Sequence, residues 1–412
     1  MRTARSGPLA AVAVALAAGA VSGQPRTELG RRYPTALVLS ASTPRQEIPH
    51  CVAGDTARYL RARLRLLAGG GGRFYLTVRD ATERPMQVLT AESFVEGGTS
   101  WTMRVPGCRL QLELALADST PESAAVQIRV VEYLAMPDRV PNPYYSLQDD
   151  DNPQYRELFS ASSGGATRVL GDAVGMVMAS HGPVSWCCSG VAVGENLLLT
   201  NWHCGGSEGV SDSAVWSEDV CADTIVDLSW DGDDVSREFQ CSKVLATDKD
   251  LDFALLELRP AGGQGPARPA LVRADSPRAG EALRVIHHPA CLSKQVTSGA
   301  GCTVAAAGWP SWVDRTPDVD LAHRCDTEEG SSGGGVFDAG GRLLALHHRG
   351  FAHTSDTQAS QQRLNMAVRL DRILAHLGSC APATPGCEAD LLTWINRAPP
   401  TATAPVGGPG GP

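Results

Sequence analysis

The chain has 412 residues and a formal net charge of −9, with no lysine or arginine cluster. That balance argues against a nucleic-acid or anionic-membrane partner. Hydrophobic residues make up 43%, an ordinary share for a globular chain, and the length suits two domains with tails.

Arg2 and Arg5 precede the apolar run "PLAAVAVALAAGAVSG", and small residues occupy Ala20 to Gly23. This order of charge, apolar core and small residues reads as a signal peptide over 1–23. The run is too short to span a bilayer, so the mature chain is expected to be soluble and secreted, extracellular or periplasmic.

Residues 24–50 are polar and unpatterned. From Arg73 the pattern turns to strands: "RFYLTVR", "SWTMRV", "RLQLELAL" and "AAVQIRVVEYL". Leu110, Leu112, Leu114 and Leu116 alternate with Gln, Glu and Ala, as a half-buried strand requires. Residues 24–135 are therefore predicted to form a β-sandwich. The Pro- and Asp-bearing stretch that follows reads as a linker over 136–165.

Residues 166–380 are again strand-rich, with "GVAV", "NLLLT", "FALLEL" and "ALRVIHH" as short strands and a hairpin in "GGVFDAGGRLLALHH". Leu370, Ile373, Leu374 and Leu377 fall at helical spacing and Gly378 is a fitting stop. The low-complexity tail is placed at 381–412.

Twelve cysteines in an exported chain favour disulfides. Cys51 and Cys108 are isolated from the others and pair by default, and Cys380 and Cys387 are similarly isolated. Cys187 and Cys188 are adjacent and take different partners. The remaining connectivities stay open. No C-x-x-C or H-x-x-x-H spacing occurs, so neither a metal nor another cofactor is expected.

Three stretches carry chemistry: "LLLTNWHC", "DKDLDFALLEL" and "EEGSSGGGVF". A nucleophilic serine needs a base, and the base needs a carboxylate to hold its tautomer. The chain supplies His203, Asp252 and a serine in that order. Asp252 abuts the apolar strand, whereas Asp250 reads as a turn acid. An α/β-hydrolase elbow, which "GSSGG" also matches, requires Asp and His after the serine and abundant helices. Both requirements fail.

With these blocks, joined by "VIHHP" and "RLLALHHRG", residues 171–380 resemble a chymotrypsin-fold serine peptidase, closest to the bacterial lysyl endopeptidase type. The resemblance implies an all-β, double β-barrel domain with a C-terminal helix. It implies His203 as general base, Asp252 as its orienting carboxylate and Ser332 as nucleophile. The backbone N–H groups of Gly330 and Ser332 would form the oxyanion hole. It further implies a Cys188–Cys204 disulfide, and His348 lining the specificity pocket beside Trp309. Lysine-specific relatives carry an acid near the last hairpin, and Asp356 is the sole carboxylate between Asp338 and Asp371, so Lys or Arg at the cut is the expected preference. Ser331 occupies the place where trypsin-like relatives activated by an N-terminal cut carry aspartate, so activation through a new amine is not expected. "SWTMRVPGCRLQLEL" resembles the leading region of related bacterial peptidases, a propeptide or an accessory module. The expected protein is a monomeric serine endopeptidase acting on proteins or peptides. The alternative is an inactive, peptidase-fold binding protein.

Overall fold

The computed structural model describes residues 28–51, 57–69, 71–94, 99–118, 121–137, 145–148, 154–160, 164–181, 184–206, 214–231, 237–261, 267–354, 356–379 and 391–396. The expected signal peptide and the Cys380–Cys387 pair lie outside these residues. No described helix is long and apolar enough to cross a membrane.

Two closed six-stranded barrels form the C-terminal part. In the first, Val174–His181 pairs with Val184–Gly194 and Ile225–Asp227, and the ring continues through Glu238–Asp248, Phe253–Pro260 and Leu197–Thr200 back to Val184–Gly194. Phe253, Ala254, Leu255 and Leu256 are all buried, in a hydrophobic cluster that also takes in Leu370, Ile373, Leu374 and Leu377. In the second, Ala282–His287, Gln295–Trp309, Asp320–His323, Asn365–Arg369, Leu343–Arg349 and Gly335–Asp338 close in the same way. Helix Leu370–Gly378 buries Leu370, Ile373, Leu374 and Leu377, the residues whose helical spacing the sequence displays.

Before the barrels stands a two-layer β region. Arg45–Pro49, Arg109–Leu116, Phe74–Arg79 and Pro85–Leu89 make one sheet. Its inward residues Leu76, Val78, Leu110, Leu112 and Leu114 share a core with Leu60, Leu64, Ile128 and Val130 of the other layer. That second layer is not separate from the first barrel. Strand Glu28–Pro34 pairs with Gln127–Pro137 on one side and with Val184–Gly194 on the other, giving a continuous 12-stranded sheet.

Three stretches differ from the sequence reading. The polar segment 24–50 carries strands Glu28–Pro34, Val38–Ser40 and Arg45–Pro49. These are short and rich in Arg and Glu, so alternation is hard to see in sequence. Within the presumed linker, Tyr145–Ser146 and Tyr155–Glu157 add to strands near the second barrel. Within the presumed tail, helix Leu391–Trp394 buries Leu391 against the first barrel. Asn396 N–H donates to Val193 O at 2.7 Å.

The cysteines among the described residues pair as Cys51–Cys108, Cys187–Cys291, Cys188–Cys204, Cys221–Cys241 and Cys302–Cys325. Five disulfides mark an oxidising, extracellular-type environment. Cys187 and Cys188 point to opposite sides of their strand, as period-2 alternation dictates, and so reach the second barrel and the His203 loop respectively.

Candidate active site

His203 opens a short 3₁₀ turn, His203–Gly205, just after strand Leu197–Thr200. Three contacts fix this turn. The Cys188–Cys204 disulfide ties it to the neighbouring strand. The indole of Trp186 donates to Cys204 O at 2.8 Å, and that of Trp216 donates to Asn201 O at 3.0 Å. A Cβ on Gly205 would lie 2.4 Å from the Trp216 ring, so glycine is required there.

Asp252 stands immediately before strand Phe253–Pro260 in the left-handed region, with φ +48. Its carbonyl accepts from the Asn201 side chain at 2.9 Å. Its carboxylate meets His203 three ways: Oδ2 to Nδ1 at 2.8 Å, Oδ1 to Nδ1 at 3.1 Å and Oδ1 to the His203 backbone N–H at 3.0 Å. An ionised carboxylate can only accept, so Nδ1 of His203 carries the proton and Nε2 is left as the basic nitrogen. Burial alone would raise the Asp252 pKa, but the imidazoles of His203 and His348 hold it well below the usual carboxylate range.

Ser332 lies in the turn between Thr327–Glu328 and Gly335–Asp338, half-buried where its neighbours are buried. Its carbonyl accepts from Ser189 N–H at 2.6 Å. A Cβ on Gly333 would come within 1.9 Å of Ser189 O and 2.7 Å of Thr200 Oγ1. The Ser332 turn is therefore pressed onto two strands, Val184–Gly194 at Ser189 and Leu197–Thr200, which leads into His203, and Gly333 permits the approach. Gly330 has φ +90, and a Cβ there would meet His288 O at 2.6 Å. The amides of Ser331, Gly333 and Gly334 donate to Glu328, His347 and Ser331 carbonyls. Among the described residues, those of Gly330 and Ser332 have no such partner.

Ser331 is fully buried. Its Oγ accepts from Glu328 N–H at 3.0 Å and lies 2.7 Å from His287 Nδ1. His287 Nε2 in turn meets Thr297 Oγ1 at 3.1 Å, and that hydroxyl donates to Asp326 O at 2.9 Å. Burial and the neighbouring imidazoles depress His287 to about 3, so it is neutral, with Nε2 the donor and Nδ1 the acceptor of the Ser331 hydroxyl.

The expected specificity residues fall as follows. His348 is buried behind Asp252, not in an open pocket. Its indole neighbour is Trp312, whose Nε1 lies 3.2 Å from His348 Nδ1 and whose ring stands edge-on to His203. Trp309, which the sequence reading placed there, instead donates to Asp356 Oδ2 at 3.3 Å. Asp356 caps helix Thr357–Gln361: Oδ1 accepts from Gln358 and Ala359 amides, and Oδ2 also receives Arg315 at 2.8 Å.

Three residues escaped the sequence reading. Asp320 bonds His348 Nε2 at 3.1 Å. It opens the buried strand Asp320–His323, the same signal of an acid against an apolar run that singled out Asp252. Trp312 lacked any signal separating it from Trp309. Asp326, fully buried, reads in sequence as one more loop acid. Cys188, His203 and Cys204 converge within 4.8 Å, but both sulfurs are committed to a disulfide and cannot ligate a metal as thiolates.

No curated protein matches the chain. Among solved structures, a mutant of Rv3671c from M. tuberculosis H37Rv in its inactive form is 15% identical, with a TM-score of 0.38, covering 53% of this chain and 93% of that one. The Rv3671c protease from M. tuberculosis in its active form is 17% identical, with a TM-score of 0.37, covering 54% and 88%. The family model of the trypsin-like peptidase domain matches residues 188–346, the stretch that holds His203, Asp252 and Ser332.

Proposed function

We propose that the chain is a secreted serine endopeptidase that hydrolyses peptide bonds through Ser332, His203 and Asp252. The observation that carries this reading is the His203–Asp252 pair, 2.8 Å apart and buried, beside a serine turn with two amides that have no carbonyl partner among the described residues. His203 Nε2 takes the Ser332 proton as Oγ attacks the carbonyl carbon. The resulting oxyanion receives the Gly330 and Ser332 N–H groups, and Asp252 stabilises the imidazolium. The proton then passes to the leaving amine. A water molecule, deprotonated by the same imidazole, releases the acyl group from Ser332.

The Cys188–Cys204 disulfide supports secretion, since it would be reduced in a cytosol. Asp356 gives no support to a preference for Lys or Arg, because four donors already occupy its two oxygens.

The test is digestion of a proteome-derived peptide library, with cut sites read by mass spectrometry. Internal cuts by the parent and none by Ser332→Ala support the reading. No cuts by the folded parent would leave the peptidase-fold binding protein as the better description. Equal cutting by the variant would remove Ser332 as the nucleophile.

A further inference from the structure

We propose that the stretches Tyr145–Gln148 and Gln154–Leu158, upstream of both barrels, position the oxyanion turn by bracing Asp326, so that the working peptidase unit includes them. This rests on the peptidase reading above.

The turn needs an external constraint. Gly330 sits at φ +90, and a glycine passes to other conformations without steric cost. If the Glu329–Gly330 peptide rotates, its N–H no longer faces the oxyanion. The lock formed by an N-terminal amine and an aspartate is unavailable, because Ser331 holds that place.

The upstream segment reaches this turn at four points. Tyr145 and Ser146 pair antiparallel with Glu328 and Thr327. Gln148 N–H donates to Asp326 Oδ1 at 2.6 Å, and Gln154 N–H donates to Oδ2 at 2.7 Å. The carboxylate is fully buried, so these short charge-assisted bonds offset its desolvation. The Tyr155 hydroxyl donates to the Glu328 carboxylate. The Tyr155 ring stands edge-on to His287 at 6.1 Å, and His287 holds Ser331. Contacts thus run from six residues before Ser332 to the residue beside it.

The brace is itself anchored. Tyr155–Glu157 pairs with Gln295–Thr297, and Leu158 N–H donates to Lys294 O at 3.0 Å. Leu147 and Leu158 are buried. The Gln148 side chain donates to Arg363 O at 2.8 Å, and the Arg363 guanidinium returns a bond to Leu147 O. A maturation cut downstream of Tyr145 would release part of this contact set, whereas one upstream would spare it.

The test uses the full chain. Asp326→Asn keeps the shape but turns an NH₂ group toward one of the two amides. Tyr155→Phe removes only the hydroxyl on Glu328. Expected is a fall in kcat of about 10²-fold for Asp326→Asn and about tenfold for Tyr155→Phe, with KM within about threefold of the parent. Amide hydrogen exchange over residues 326–334 should accelerate in both, read separately from activity. Parent-like kcat and exchange in the variants would overturn the brace. If Asp326→Asn does not fold, Tyr155→Phe decides alone. A parent that cuts no peptide would defeat the peptidase reading, while the exchange comparison still decides on the brace.

Discussion

His348 shares the carboxylate of Asp252 with His203: its Nδ1 lies 3.3 Å from the same Oδ2 that His203 Nδ1 meets at 2.8 Å. Its Nε2 faces Asp320 Oδ2 at 3.1 Å. Two buried carboxylates against one imidazole favour the charged ring. Burial alone would depress the His348 pKa, but Asp320 and Asp252 push it up to about 9. Trp312 Nε1 also approaches Nδ1, at 3.2 Å. Since a protonated Nδ1 donates to Asp252, the indole contributes packing there instead of a hydrogen bond.

The array predicts an alkaline limb. Above pH 9 His348 loses its proton, the two acids face a neutral ring, and Asp252 is less firmly held for His203. We expect His348→Gln to lower kcat about tenfold with little change in KM, and to abolish that limb. Asp320→Asn should shift the limb to lower pH, because the group that raises the His348 pKa is gone. An unchanged pH profile in both variants would show that the array has no part in catalysis.

Acid should destabilise the fold through its buried, neutral histidines. His287, His288 and His323 are buried and depressed to about 3, with burial the largest cause in each. A histidine with a lowered folded pKa gives stability that is present above 6.5, its unfolded value, and is lost as pH falls toward 3. Each costs about 1.4 kcal/mol per pH unit in that window. His348 has the opposite sign: its contribution is full below 6.5 and lost as pH rises through 9, so it changes little on the acid side. The urea midpoint should drop steeply between pH 6.5 and 5. A flat midpoint across that range would contradict the buried neutral state of these rings.

The β region before the barrels should be an integral part of the folded chain. Arg61 pairs with Glu238 and approaches Asp227 at 3.7 Å, and Arg104 meets Asp227 at 2.9 Å. Arg61, Asp227 and Glu238 are all buried, and their charges balance only as a set. Glu238→Ala leaves uncompensated positive charge and should cost about 3–5 kcal/mol. Urea unfolding checks this. A loss under about 1 kcal/mol would mean that the two parts are not docked through this cluster.

Ser331→Ala should harm both stability and turnover. It removes the hydroxyl that meets His287 Nδ1 and accepts from the Glu328 amide, both buried, at about 1–3 kcal/mol. Thermal melting with kcat measured in parallel checks it, and parent-like values of both would contradict the anchoring role assigned to Ser331.

What could be read in the sequence followed from local signals. An apolar strand ending at His203, an acid abutting Phe253 and a glycine-rich turn at Ser332 each show their chemistry within ten residues. Alternating leucines from Leu110 announced a half-buried strand, and the structure buries them in that order up to Leu114. What escaped depends on contacts between distant segments. Nothing near Gln148 or Gln154 reveals that their amides end on Asp326, because backbone donors carry no residue signature. The pairing of Glu28–Pro34 with Val184–Gly194 is similarly silent. Asp356 looked free because its loop is polar. Its capture by a helix N-terminus and Arg315 is tertiary.

The central claim is that His203, held by Asp252, activates Ser332. Treatment of the folded protein with a fluorophosphonate probe, followed by peptide mapping, tests it most directly. A single adduct on Ser332 is predicted, lost in Ser332→Ala and strongly slowed in His203→Ala. No adduct, or one on another serine, would contradict it.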